Sequence, residues 1–239
     1  MSFLEMKEIH TFYGKSHVLQ GISMTLERGD FVCILGRNGV GKTTTLHSIM
    51  GFLKPKVGSI LFKSKELIGK EPFQIARMGI GLVPETRRIF SSLTVEENLI
   101  MGIKGKGDEQ TFVRDSWTLD KIYHFFPKLK ERKNQKGSKL SGGEQQMLTI
   151  VRTLMGNPEI LLVDEPTEGL APLIAKTVVD MLEDINKSGV TVLLVEQNFK
   201  AAIKLARMFY LMGKGKIVFY GDGHSLLAAE DLRKQYLEV

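Results

Sequence analysis

The sequence predicts an α/β fold carrying a helical insertion. Three observations support this: strand-like and helix-like segments alternate, a glycine-rich loop joins an apolar strand to a helix, and residues 94–156 show no strand pattern. Alternation of this kind favours a largely parallel sheet flanked by helices. The 239 residues suffice for one large or two modest domains.

The elements follow in order. FLEMKEIH (3–10) and VLQGISMTLE (18–27) alternate apolar and polar residues, as half-exposed strands do. DFVCILG (30–36) is continuously apolar, as a buried strand is. A helix is predicted over 42–52, ending near Gly51 with Pro55 beyond. Further strands are predicted at 59–62, 80–84, 160–164, 190–195, 208–212 and 216–220. TVEEN opens a helix through a capping box of Thr94 and Glu97. VTVLLVEQN reads as a buried strand ending in Glu196, Gln197 and Asn198, the carboxyl end where α/β proteins bind ligands.

Composition narrows the class. Hydrophobic residues make up 43% and charged residues 25%, ordinary for a soluble globular chain. Apolar runs reach five or six residues, far short of the roughly 20 a membrane helix needs. MSFLEMKEIH carries acids and no long apolar core, so no secretory signal is expected. Cys33 lies in FVCIL and is expected to pack inertly, in keeping with a reducing cytoplasm. The net charge is +6, and between Lys128 and Lys139 stand six Lys or Arg and one Glu. That run reads as a solvated loop. No aromatic residues interleave with it, which argues against a single-strand nucleic-acid platform, so no nucleic acid is expected.

GRNGVGKT follows a strand and opens a helix, the context that gives GxxxxGK[ST] its meaning. Backbone N–H groups of Gly36, Arg37, Asn38, Gly39 and Gly41, with Thr44 at the helix start, would surround phosphate oxygens. Lys42 would reach the β- and γ-phosphates, and the Thr43 hydroxyl would ligate Mg²⁺. EILLVDEP delivers Asp164 and Glu165 to a strand end. Strand alternation would turn them to opposite faces: Asp164 toward the Mg²⁺ site, Glu165 toward the attacking water.

LSGGEQQ starts a helix, with Ser141 as N-cap and Glu144 as its capping-box partner. Gly142 and Gly143 would leave the helix N-terminus bare, so that an anion could approach. With the P-loop upstream and VDEP downstream, the motif resembles the ATP-binding cassette signature, and the resemblance spans essentially the whole chain. It implies a P-loop NTPase (RecA-like) core over 1–85 and 156–239 with an N-terminal antiparallel β-subdomain. It also implies a helical subdomain over 86–155 that carries the signature. In that family two cassettes stack head to tail, and each ATP lies between the P-loop of one and the LSGGE of the other.

The resemblance assigns further roles. Tyr13 in FYGK matches the aromatic residue that stacks on adenine. Glu85 in VPETRRIF stands where the family usually has a glutamine that touches Mg²⁺ or the attacking water. Ala171 replaces a common aspartate, and Gln197 occupies the usual switch-histidine position. These departures admit two readings: a degenerate, non-hydrolysing site, or one in which the Gln197 amide keeps the positioning role. The second is preferred, because Lys42, Thr43, Asp164 and Glu165 are all present.

VPETRRIF, LTVEENL, LSGGEQQML, GLAP and LVEQN together look like an ATP-binding subunit of branched-chain amino acid importers. Similar cassettes serve urea and short-amide importers, and a soluble cassette ATPase acting on nucleic acid or an assembly scaffold is the rival class. The resemblance implies ATP and Mg²⁺, a second cassette, membrane permease subunits and, indirectly, a substrate-binding protein. It implies a peripheral position on the cytoplasmic face of the plasma membrane. The segment 85–101 would transmit motion to a permease helix seated in a groove of the helical insertion.

Overall fold

The computed structural model describes residues 2–104 and 116–237; the part of the predicted insertion at 105–115 lies outside them. β1 (Leu4–Tyr13) and β2 (Ser16–Leu26) pair as an antiparallel hairpin. β3 (Phe31–Leu35) leads through the glycine loop into α1 (Lys42–Ile49). The chain returns to β1 with β4 (Val57–Phe62) and adds β5 (Lys65–Glu66). α2 (Pro72–Arg77), opened by a Glu71/Gln74 capping box, precedes β6 (Ile80–Val83).

Helices then dominate, as the missing strand pattern predicts: α3 (Val95–Ile100), α4 (Leu119–Phe125), α5 (Pro127–Glu131), a 3₁₀ turn at Gly137–Lys139 and α6 (Gly142–Leu154). β7 (Ile160–Asp164), α7 (Pro172–Lys187), β8 (Thr191–Glu196), α8 (Phe199–Leu205) and β9 (Met208–Gly213) restore the alternation. β10 (Lys216–Asp222), α9 (Gly223–Ala228) and α10 (Glu230–Tyr236) follow.

Two sheets result. The antiparallel sheet has the order β2-β1-β4-β5, and the larger sheet the order β10-β9-β3-β8-β7-β6. The larger sheet is parallel except at the β9–β10 edge. Every residue of β3, β7 and β8 is buried. Both faces of this sheet are covered, which is why these strands read as apolar runs rather than alternating ones.

Alternate residues of β3 serve two cores. Cys33 and Leu35 pack with Leu148, Val151 and Leu182 of α6 and α7. Val32 and Ile34 pack with Leu46 and Ile49 of α1 and with Leu4, Met6 and Ile22 of the antiparallel sheet. The Cys33 thiol is fully buried, and burial pushes its pKa up, in keeping with inert packing.

This strand order gathers the motifs. β3, β8 and β7 are neighbours, with Leu35 opposite Glu196 and Asp164 opposite Val195. The glycine loop, VEQN and VDEP therefore emerge side by side at the carboxyl ends of the central strands.

Candidate active site

The glycine loop is shaped by packing as well as by its own freedom. Gly41 caps α1 with φ 110°, and a Cβ there would lie 2.8 Å from Cδ2 of Leu19. A side chain would be strained on both counts. Lys42, the first residue of α1, is 4% exposed. Its Nζ donates to the carbonyls of Gly36 (2.8 Å) and Arg37 (3.1 Å) and pairs with Glu165 Oε1 at 2.9 Å. Thr43 Oγ1 donates to Asp164 Oδ1 at 3.1 Å. Asn38, Gly39, Lys42, Thr43 and Thr44 line a cleft of about 270 Å³ whose far wall holds Glu85, Glu165 and Glu168.

The expected alternation of Asp164 and Glu165 is corrected. β7 ends at Asp164, and Glu165 takes φ 41°, in the left-handed region. Both carboxylates thus meet the start of α1, Asp164 through Thr43 and Glu165 through Lys42. A non-glycine residue at positive φ is costly and persists only where its surroundings hold it. Here the Glu165 amide donates to Val195 O (2.9 Å) while its carboxylate is held by Lys42.

Acids outnumber cations in the cleft, and the charge balance shows it. Burial lifts the Asp164 pKa to about 6; the Thr43 hydrogen bond opposes this, and Glu165 and Glu85 add to it. Glu168 is also raised, first by desolvation, then by a hydrogen bond with Glu165. A site with this excess of negative charge and open glycine N–H groups suits a polyanion that brings its own cation. The available donors are hard oxygens: the Thr43 hydroxyl and the Asp164 and Glu85 carboxylates. Among the described residues no group of three His, Cys, Asp or Glu could cage a metal. Mg²⁺ needs no such cage, since it keeps waters and takes phosphate oxygens.

The signature residues do not line this cleft. Ser141 Oγ accepts from Glu144 N (3.4 Å), and a Glu144 carboxylate oxygen accepts from Ser141 N (2.8 Å), completing the capping box. Both glycines at the start of α6 also lie against side chains from elsewhere in the chain. A Cβ on Gly143 would overlap Cγ2 of Ile174 in α7, and one on Gly142 would lie 2.7 Å from the Arg87 guanidinium. Close approach within the chain favours glycine at 143, where the branched Ile174 stands next to the backbone, whereas at 142 the flexible Arg87 side chain could move aside. Glu144 also pairs with Arg132 at 2.8 Å, which ties the basic segment to the signature helix.

The segment after Glu85 bridges the two regions. Arg87 and Arg88 have φ of 36° and 46°. The Arg87 carbonyl accepts from Thr149 Oγ1, and the Arg88 carbonyl accepts from Arg152 Nη2 (2.8 Å), both donors on α6. Asn98 of α3 clamps Phe90 through both its backbone N–H and its carbonyl. Beyond it lies a groove of about 600 Å³ lined by exposed Phe52, Phe90 and Met101 together with Arg88, Lys104 and Arg152.

Tyr13 ends β1 and is 48% exposed, and Val18, which sequence reasoning missed, lines the cleft. Gln197 follows β8, half-buried, its backbone N–H held by Glu196 Oε2. Ala171 is exposed at the N-cap of α7. Glu168 was also missed, because its relation to Glu165 depends on the turn after β7.

A family model described as "ABC transporter" matches residues 19–168. The chain is 43% identical over 236 residues to the high-affinity branched-chain amino acid transport ATP-binding protein BraG of Pseudomonas aeruginosa, covering 98% of this chain and 99% of that one. It is 31% identical to the probable branched-chain amino acid transport ATP-binding protein LivF of Archaeoglobus fulgidus, over 97% of each chain. Among solved structures, a nucleotide-free ATP-binding cassette from an ABC transporter superposes with a TM-score of 0.84 at 29% identity, over 97% of each chain. An ADP conformation of another such cassette gives 0.82 at 28% identity, over 98% of each chain. A cleft lined by the glycine loop, Lys42 and Thr43, within a fold and sequence shared nearly end to end with these cassettes, leads to one assignment: the chain belongs to the ABC transporter family and is an ATP-binding cassette, an ATPase, within it.

Proposed function

We propose that this ATPase drives an importer for branched-chain, hydrophobic amino acids, as the peripheral cytoplasmic partner of membrane permease subunits. The observation that carries the substrate class is the 43% identity, along nearly the full chain, to a branched-chain amino acid transport ATP-binding protein. In agreement with a peripheral position, no helix among the described residues is long and apolar enough to cross a membrane.

In this reading the glycine loop and Lys42 bind the triphosphate, and Lys42 exchanges its bond with Glu165 for bonds to phosphate. That exchange frees Glu165 to accept a proton from, or orient, the attacking water. Thr43, Asp164 and Glu85 would hold Mg²⁺, which neutralises charge building on the phosphates. Gln197 would donate to the γ-phosphate side of the site and accept from water. Ser141, Gly142, Gly143 and Glu144 stand away from their own cleft, which supports a site completed by the signature of a second cassette. Residues 86–155 serve as the helical arm, and the groove beside Phe90 and Met101 as its permease seat.

Deleting the coding sequence and measuring uptake of radiolabelled leucine, isoleucine and valine tests the proposal. Loss of uptake, restored by the unaltered chain but not by Glu165→Gln, is expected. Unchanged uptake of all three would refute the substrate class.

A further inference from the structure

Glu196 closes β8 and is 3% exposed, and the cleft chemistry described above leaves it unused. Its carboxylate is saturated with donors from two separate segments. One oxygen accepts from Thr167 Oγ1 (2.7 Å) and Thr167 N (3.3 Å). The other accepts from the backbone N–H groups of Gln197 and Asn198, each at 3.1 Å. Thr167 is itself buried, two residues after Glu165, at the start of the loop leading to exposed Ala171 and α7. Asn198 in turn caps α8, accepting from Ala201 N at 3.1 Å. Burying a carboxylate is tolerated here because four donors replace its water.

We propose that Glu196 is a positioning residue for hydrolysis, a buried carboxylate clamp that locks the Glu165–Ala171 loop to the turn presenting Gln197. This rests on the hydrolytic roles assigned above to Glu165 and Gln197. Neither Glu196 nor Thr167 lines the nucleotide cleft. Breaking the clamp therefore alters the geometry of the hydrolytic groups while leaving nucleotide contacts in place. A shift of about 1 Å at such groups is worth up to roughly a hundredfold in rate.

The test is steady-state ATP hydrolysis by the full-length chain assembled with its partner cassette, with KM and kcat separated and thermal melting measured in parallel. Glu196→Gln leaves a single acceptor oxygen, so whichever way the amide turns, its N–H₂ meets at least one backbone donor: Thr167 N on one side, or Gln197 N and Asn198 N on the other. Thr167→Val removes the hydroxyl with little change in shape. Each is expected to lower kcat about tenfold or more at unchanged KM for ATP, and the double variant to be no slower than the worse single. Thr167→Ser, which restores the hydroxyl, should recover most of the rate. Gln197→Ala is run beside them. If it is silent while the clamp variants fall together, the clamp stands through Glu165, and the role given to Gln197 fails. If Glu196→Gln and Thr167→Val keep full kcat, or lose melting temperature alone, the clamp is refuted whatever Gln197→Ala does.

Discussion

The buried pair between Lys42 and Glu165 makes a quantitative prediction for the nucleotide-free protein. Their side chains are 3% and 9% exposed, with 2.9 Å between Nζ and Oε1. At an effective dielectric constant of about 20, charges at that separation attract by about 6 kcal/mol, most of which offsets desolvation. Removing one partner costs more than the pair's net contribution, because it strands the other charge. Losses of about 3–5 kcal/mol are typical. The cleft opens to solvent, so Lys42→Met should fall at the low end, about 3 kcal/mol. It also leaves the carbonyls of Gly36 and Arg37 without their donor.

For a chain of this length that loss lowers Tm by roughly 6–12 °C. Calorimetry or circular dichroism of protein freed of nucleotide and chelated of metal reads the shift directly. Lys42→Met/Glu165→Gln removes both charges and should recover at least half the loss. Lys42→Met melting within a degree of the unaltered chain, or a double variant no more stable than the single, would show that the pair is not the stabilising contact described.

Stability of the same nucleotide-free, chelated protein should depend on pH through Asp164. Its pKa is raised from 3.8 to about 6, so between those values the folded state binds more protons than the unfolded state. This contribution is present below pH 3.8, declines as pH rises, and is lost above about 6, up to about 3 kcal/mol in all. Asp164→Asn should flatten that part of the denaturation-versus-pH curve, and an unchanged slope contradicts the assignment. Gly143→Ala should destabilise by about 1–3 kcal/mol through overlap with Ile174, and Ile174→Ala should relieve it in the double variant. Additive losses in urea unfolding would rule out that contact as the reason for glycine.

Much of the fold was legible because its cues are local. The apolar runs FVCIL, ILLVD and TVLLVE became the buried strands β3, β7 and β8, and the Thr94/Glu97 and Ser141/Glu144 pairs became capping boxes. β5 has two residues and α2 six, too few for either period to declare itself. The antiparallel β10 edge depends on which strand it meets, which no local pattern records. In the cleft, residue types were readable, but geometry was not. The left-handed turn at Glu165 defeated the alternation rule, and the Glu196–Thr167 clamp spans 29 positions of sequence. Gly143 is glycine because of Ile174, a neighbour brought close only by α6 and α7 packing.

Glu165 is assigned to hydrolysis at a site whose other groups bind nucleotide. Binding of a fluorescent ATP analogue and release of phosphate, measured on the unaltered chain and on Glu165→Gln with the partner cassette present, test this most directly. Both proteins are expected to bind the analogue alike, with Glu165→Gln releasing phosphate at least a hundredfold more slowly. Equal phosphate release from the two, or no nucleotide binding by the unaltered chain, would contradict that assignment.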